Sequence, residues 1–191
     1  RDLRNFSTLT ENVRVCDKVV AISKFVADDI IANFDIDPEK VSVIYNGTER
    51  LTPKLGYQPS YRPIKPFIFA VGELLEKKNF HVLPALLNGN DFELLIAGNK
   101  NATMYDKKIE QFAEDVGCSE RVRILGPISQ FDKIWYYEKC LAFAFPSISE
   151  GFGLPIIEAM QFGKPVFLST KTAVPEIGGE NAFYFDSFEP E

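Results

Sequence analysis

Apolar positions along the chain fall into short runs separated by stretches with a helical period. The runs at 18–22, 41–45, 67–71, 93–97, 121–125, 141–145, 165–168 and 182–185 have the length and composition of strands. Between them, 24–33, 79–87, 105–116, 130–140 and 155–162 have the patterning of helices. Several strand runs, among them FIFAV, ELLIA and LAFAF, are apolar on both faces. Helices covering both sides of a parallel sheet require that pattern. The alternation predicts an α/β fold with a doubly wound parallel sheet.

One segment breaks the rhythm. Residues 52–66, TPKLGYQPSYRPIKP, show neither period and carry Pro53, Pro59, Pro63 and Pro66, which favour extended, semi-rigid backbone. The expected organisation is therefore 1–51 as the tail of a preceding domain, 52–66 as an interdomain linker, and 67–191 as an α/β domain truncated at its C-terminus. The start, RDLRNF, has no initiator Met and is expected to lie inside a longer natural chain. In the first part, Ser23 is placed to cap the helix that follows it, with Asp28 and Asp29 early in that helix.

Composition narrows the chemistry. A hydrophobic share of 46%, with 17 Phe and 7 Tyr, supplies an ordinary globular core and argues against disorder. With 27 acidic against 21 basic residues the net charge is −6, which disfavours nucleic acid but leaves room for a single phosphorylated small molecule. Cys16, Cys118 and Cys140 are odd in number and lack CxxC spacing, so a reducing, cytoplasmic compartment is expected. With His81 the sole histidine, no structural zinc site is expected. Two Asn-x-Thr triplets, at Asn46 and Asn101, read as turns.

The richest stretch runs from Phe145 to Gly163, FPSISEGFGLPIIEAMQFG. A strand ends near Pro146, a short loop carries Glu150, two glycines flank Phe152, and Pro155 stands in the first turn of a helix. Such a junction aims free backbone N–H groups and the positive end of a helix at the carboxyl edge of the sheet, where an anion is favoured. Gly151 and Gly153 let a ligand approach the backbone closely. Glu158, eight positions after Glu150, lies about one turn into that helix. A carboxylate there can accept both hydrogens of a diol.

The Glu150…Glu158 pair reproduces an E-x7-E signature, inside a wider run that reads PSxxEGFGLPxxEAMxxGxPV. Together with AISKFVADDII, SVIYNGTE, FAVGELLEKKNF, LLIAG, VRILGPIS and AVPEIGGENAFYFD, in that order, the chain resembles the retaining GT-B glycosyltransferases of the group 1 or family 4 type over nearly its whole length. The resemblance implies a Rossmann-like donor domain, the C-terminal half of a GT-B fold, and transfer of a sugar with retention of configuration. The donor implied is a nucleotide diphosphate sugar, GDP-mannose or a UDP-hexose. The acceptor implied is a growing polysaccharide or lipopolysaccharide, sugar or lipid-linked and bound by the other domain, so residues 1–191 alone are expected to transfer nothing. Peripheral association with the inner face of a membrane is expected of the full-length enzyme.

Carried over residue by residue, the resemblance gives Gly151, Phe152, Gly153 and Leu154 backbone contacts to the sugar and distal phosphate. Glu150 takes the sugar hydroxyls, Glu158 the ribose diol, and Lys78, next to Asn79, the departing diphosphate. Gly72 lets its loop pass close to the donor, and Ile128 lines the base. No metal and no cofactor are implied, because lysine and helix dipole supply the positive charge. Glu73 departs from the pattern, since many members have Arg after this glycine; either Lys77 supports Lys78, or the site neutralises the leaving group less fully. Trp135, Tyr136 and Tyr137 read as helix packing in preference to a platform for a base. His81 reads as a surface or partly buried residue. A dinucleotide oxidoreductase is disfavoured by the lack of GxGxxG after any strand. A non-catalytic binding module of the same fold stays open, with Glu73 its best argument.

Overall fold

The computed structural model describes residues 2–100 and 104–189, and the chain divides between Gly47 and Thr48 into two compact units. In the smaller unit, helix α1 (Asp2–Val15) precedes strand β1 (Val19–Ala21), helix α2 (Lys24–Phe34) and strand β2 (Val41–Val43). The two strands pair in parallel. Ser23 caps α2 as expected, its hydroxyl accepting from the Val26 N–H at 3.1 Å.

The larger unit is a six-stranded, wholly parallel sheet. Its strands are β3 (Phe67–Val71), β4 (Glu93–Ala97), β5 (Val122–Gly126), β6 (Ala142–Phe145), β7 (Val166–Leu168) and β8 (Phe183–Tyr184), arranged β5-β4-β3-β6-β7-β8. Helices α3 (Tyr105–Asp115), α4 (Gln130–Lys139), α5 (Leu154–Gln161) and α6 (Val174–Gly178) connect them. Alternate residues of β3 serve opposite cores. Phe67 and Phe69 pack with Tyr136, Tyr137, Ile156 and Val174, whereas Ile68 and Ala70 pack with Leu83, Leu87 and Ile109. This is the doubly wound arrangement that the two-faced apolar runs require.

The stretch expected to be helical at 79–87 is a 3-10 helix, Phe80–Leu87. Pro84 sits inside it and has no N–H to give to an α-helical ladder. Tyr136 and Tyr137 are fully buried, and Trp135 stacks on Phe67 with ring centroids 6.2 Å apart, so all three serve packing. His81 is partly buried, with Nδ1 2.9 Å from the Tyr105 hydroxyl. Among the described residues no helix is long and apolar enough to cross a membrane.

Residues 52–66 form no helix or strand, and two buried carboxylates pin them to the larger unit. Glu93 accepts from the Tyr61 hydroxyl at 2.8 Å and from the Ile64 and Lys65 N–H groups at 2.9 and 3.0 Å. Asp132, in a capping box with Ser129 at the start of α4, also accepts from the Ser60 N–H at 2.8 Å and the Tyr57 hydroxyl at 3.2 Å. Burial pushes both carboxyls up, but these donors outweigh it and hold both below the usual carboxylate range. A depressed folded value stabilises the fold above the unfolded value, near 4, and that contribution is lost as pH falls through the folded one. The urea midpoint is therefore expected to drop as pH falls below about 4. Glu93→Gln is expected to flatten this acid limb and to cost about 1 kcal/mol at neutral pH; parallel pH profiles for variant and wild type would contradict the assignment.

Candidate functional site

Counted along the larger unit, the sheet runs third, second, first, fourth, fifth, sixth strand. The chain leaves β3 for the 3-10 helix on one face and leaves β6 for α5 on the other. The loops after these adjacent strands therefore part at the carboxyl edge, and the crevice between them is where open parallel sheets bind ligands. Lys78 stands on the first loop and Glu150 on the second.

Hydrogen bonds tie the two loops together. The Lys77 carbonyl accepts from the Ile148 N–H at 2.8 Å and the Ser147 hydroxyl at 3.0 Å. The Lys78 ammonium pairs with Glu150 Oε1, to which the Ser147 hydroxyl also donates, and lies 5.3 Å from the centre of the Phe145 ring. The Glu150 N–H donates to Thr172 Oγ1 at 3.0 Å, tying in the loop after β7. Lys78 and Glu150 are only 13% and 12% exposed, so each holds the other's charge in a largely dry setting. Lys77, the expected helper, is exposed and contributes its carbonyl to this tie.

Gly72 follows β3 directly. A Cβ there would stand 3.3 Å from Phe80 Cζ and 3.4 Å from Lys78 Cε, so a larger side chain would press on the lysine. Gly98, after β4, is held more tightly still. Its φ is +154°, and a Cβ would come within 1.7 Å of the Gly72 carbonyl oxygen. Gly98 is thus what lets the ends of β3 and β4 close together, a role that nothing but its place at the end of LLIAG signals.

Further along the second loop, Phe152 is buried, and Gly153 has a left-handed φ of +106° as α5 begins. Leu154, the first residue of α5, is exposed. Glu158 lies on the same helix and meets α4. Its Oε1 is 2.8 Å from Lys133 Nζ, and its Oε2 accepts from the Tyr137 hydroxyl at 2.9 Å. Burial, and then the Glu158 charge, push the Tyr137 phenol well above its ordinary value, so it stays a donor at any working pH. Sequence reading missed Lys133, because one charged position on an amphipathic helix looks like an ordinary solvated face.

A cavity of about 290 Å³ opens at this edge, lined by Gly72, Glu73, Gly98, Ile128, Ser129 and Lys133 among others. Gly72 and Ile128 thus face one space, and Lys133 links it to Glu158. Glu73 is exposed on its wall. A larger cavity of about 470 Å³, lined by Tyr57, Arg62, Lys65 and Trp135, lies against Phe67 at the other end of β3, away from the loops that carry the E-x7-E pair. Among the described residues no three His, Cys, Asp or Glu gather as metal ligands.

Known proteins agree with this fold. The family profile described as "Glycosyl transferases group 1" matches residues 60–191, and that described as "Glycosyltransferase Family 4" matches residues 2–50. The O-antigen chain mannosyltransferase RfbU of Salmonella typhimurium is 29% identical over 178 residues, 92% of this chain and 48% of that protein. The serotype-specific mannosyltransferase WbdA of Escherichia coli is 30% identical over 88% of this chain and 22% of its own length. The chain therefore spans half or less of these relatives. Among solved structures, a glycosyltransferase from Rickettsia africae superposes with a TM-score of 0.79 at 23% identity, over 96% of this chain and 54% of that one. Anabaena HepE in complex with UDP-glucose gives a TM-score of 0.76 at 24% identity, over 91% and 51%. With its profile covering well over half the sequence, the chain belongs to the group 1 glycosyltransferases.

Proposed function

We propose that the crevice between the loops after β3 and β6 binds a nucleotide diphosphate sugar and that the enzyme transfers the sugar with retention of configuration. The observation that carries this reading is the convergence of Lys78 and Glu150 at the carboxyl edge of adjacent strands, with Glu158 on the helix that follows. Lys78 is assigned to the diphosphate, Glu150 to the hydroxyls of the transferred sugar, and Glu158 to the ribose diol. Gly151 to Leu154 present backbone to the sugar and distal phosphate, Gly72 gives the loop room, and Ile128 lines the base. In this scheme residues 1–51 come from an acceptor domain, 52–66 form a linker and 67–191 form the donor domain.

In this arrangement neither carboxylate attacks the anomeric carbon, unlike the paired carboxylates of retaining glycosidases. Catalysis rests on holding the donor and neutralising the nucleoside diphosphate as it departs, with the acceptor hydroxyl arriving on the same face. Similarity to mannosyltransferases of O-antigen chains favours GDP-mannose as donor and a polysaccharide or lipid-linked saccharide as acceptor. A cytoplasmic location fits three free thiols.

The test is a calorimetric panel of GDP-mannose, UDP-glucose and UDP-galactose, followed by transfer in the full-length enzyme with the product's anomeric configuration read by NMR. One donor is expected to bind in preference, and the product to keep the donor's configuration. Binding of none of them, or an inverted product, overturns the reading; binding without transfer in the full-length chain favours a non-catalytic module, to which Glu73 on the cavity wall points.

A further inference from the structure

The assignment of Glu158 to a ribose diol leaves a question of orientation. A carboxylate that accepts two hydroxyl hydrogens at once must hold its plane fixed against them, and a free glutamate side chain rotates about its last torsion broadly. Here the carboxylate is not free. Lys133 donates to Oε1 and Tyr137 to Oε2, both from α4, one helix over from α5. The two oxygens are thus engaged one each, and each keeps acceptor capacity for one more hydrogen. Two hydroxyls of a vicinal diol are what that remaining capacity suits. The side chains of Lys133 and Glu158 are 20% and 13% exposed, so water competes little for the pairing.

We infer that Lys133 is a positioning residue for the donor site, acting through Glu158 to present both carboxylate oxygens to the ribose of the nucleotide. The inference rests on the reading of Glu158 as the ribose ligand. Lys133 also lines the cavity that Gly72 and Ile128 share, so the residue that orients the carboxylate stands on the wall of the space the nucleotide would fill. Tyr137, buried and held protonated, donates to Oε2. Lys133 alone has a flexible stem and a charge, and its removal frees one end of the carboxylate while leaving the other tethered.

The experiment compares GDP and UDP with their 2′,3′-dideoxy counterparts by calorimetry, using wild type, Lys133→Met, Lys133→Gln and Glu158→Ala. Whichever ribonucleotide binds the wild type more tightly is expected to lose roughly fivefold in affinity with Lys133→Met and less with Lys133→Gln, which keeps an N–H donor on a side chain one bond shorter. The matching dideoxynucleotide is expected to bind all Lys133 variants as it binds the wild type, because no hydroxyls remain to be misaligned. Should Lys133→Met fail to fold by circular dichroism, Lys133→Gln carries the same comparison. An equal loss for ribo and dideoxy ligands, which a charge effect on the diphosphate would give, overturns the inference, as does no loss for either. If Glu158→Ala shows the ribose-specific loss and the Lys133 variants do not, Lys133 is excluded and the function stands. If Glu158→Ala shows none, or neither nucleotide binds the wild type, the functional reading itself falls.

Discussion

Replacing Lys78 by Met is expected to have two separable effects, one on folding and one on binding. The pair it breaks is largely buried, and the Glu150 carboxylate would keep the Ser147 hydroxyl but lose its positive partner. Removing one partner of a fully buried pair costs roughly 3–5 kcal/mol; at about an eighth exposed, this one should cost somewhat less. The double variant Lys78→Met/Glu150→Gln removes the orphaned charge and should recover most of that stability in urea unfolding. Nucleoside diphosphate affinity should not recover. Loss of a charge-assisted contact to phosphate is expected to weaken binding by ~1–3 kcal/mol in both variants. Affinity restored along with stability would show that Lys78 is a structural partner of Glu150 and has no part in holding phosphate.

The double role expected of Lys78 follows from where it sits. In the structure its ammonium already has a carboxylate, and a diphosphate entering the crevice would compete for the same charge. Such a pair keeps the lysine side chain aimed at the crevice before the ligand arrives, so less ordering is left for binding to accomplish. It also keeps Glu150 at the crevice, where the reading has it meet the sugar.

The sheet was legible to different depths along its length. Strands at 67–71 and 93–97 fall where the apolar runs put them, because each run is apolar apart from Glu93 and is followed by a glycine, Gly72 or Gly98. Two helices escaped. Helix α6 has five residues, too few for a 3.6-residue period to repeat, and α1 lies in a mainly polar stretch whose apolar stripe is thin. The 3-10 character of Phe80–Leu87 follows from Pro84, but periodicity marks the stretch as helical without saying which helix.

For the site, the residues that a local motif carries were visible and their partners were not. Glu150 and Glu158 share one short stretch of chain, so spacing alone brings them to one junction. Lys133 reaches Glu158 across 25 residues and Thr172 reaches Glu150 across 22, from other elements of the sheet's crossovers. Only the packing of α4 on α5 and the closeness of the loops after β6 and β7 make those contacts. Tyr137 shows the same limit from the other side. Its aromatic ring marks it as core, and its hydroxyl then proves to be aimed at Glu158, one of the two carboxylates that the motif singles out.

The central claim, that the E-x7-E pair faces a nucleotide, is tested most directly through Glu158 and the ribose. Wild type, Glu158→Gln and Glu158→Ala are titrated with the preferred nucleoside diphosphate and with its 2′,3′-dideoxy form. Gln keeps a group that can accept from or donate to a hydroxyl, whereas Ala leaves both ribose hydroxyls without their protein partner. Affinity for the ribonucleotide is expected to fall in the order wild type, Gln, Ala, with a loss of ~1.5–3 kcal/mol for Ala, the range for hydrogen bonds to a charged group. For the dideoxy ligand the loss should nearly vanish, since a general loosening of α5 would weaken both ligands alike. If wild type and Glu158→Ala discriminate between the two ligands equally, Glu158 is a structural helix residue held by Lys133 and Tyr137, and the donor-site account is contradicted.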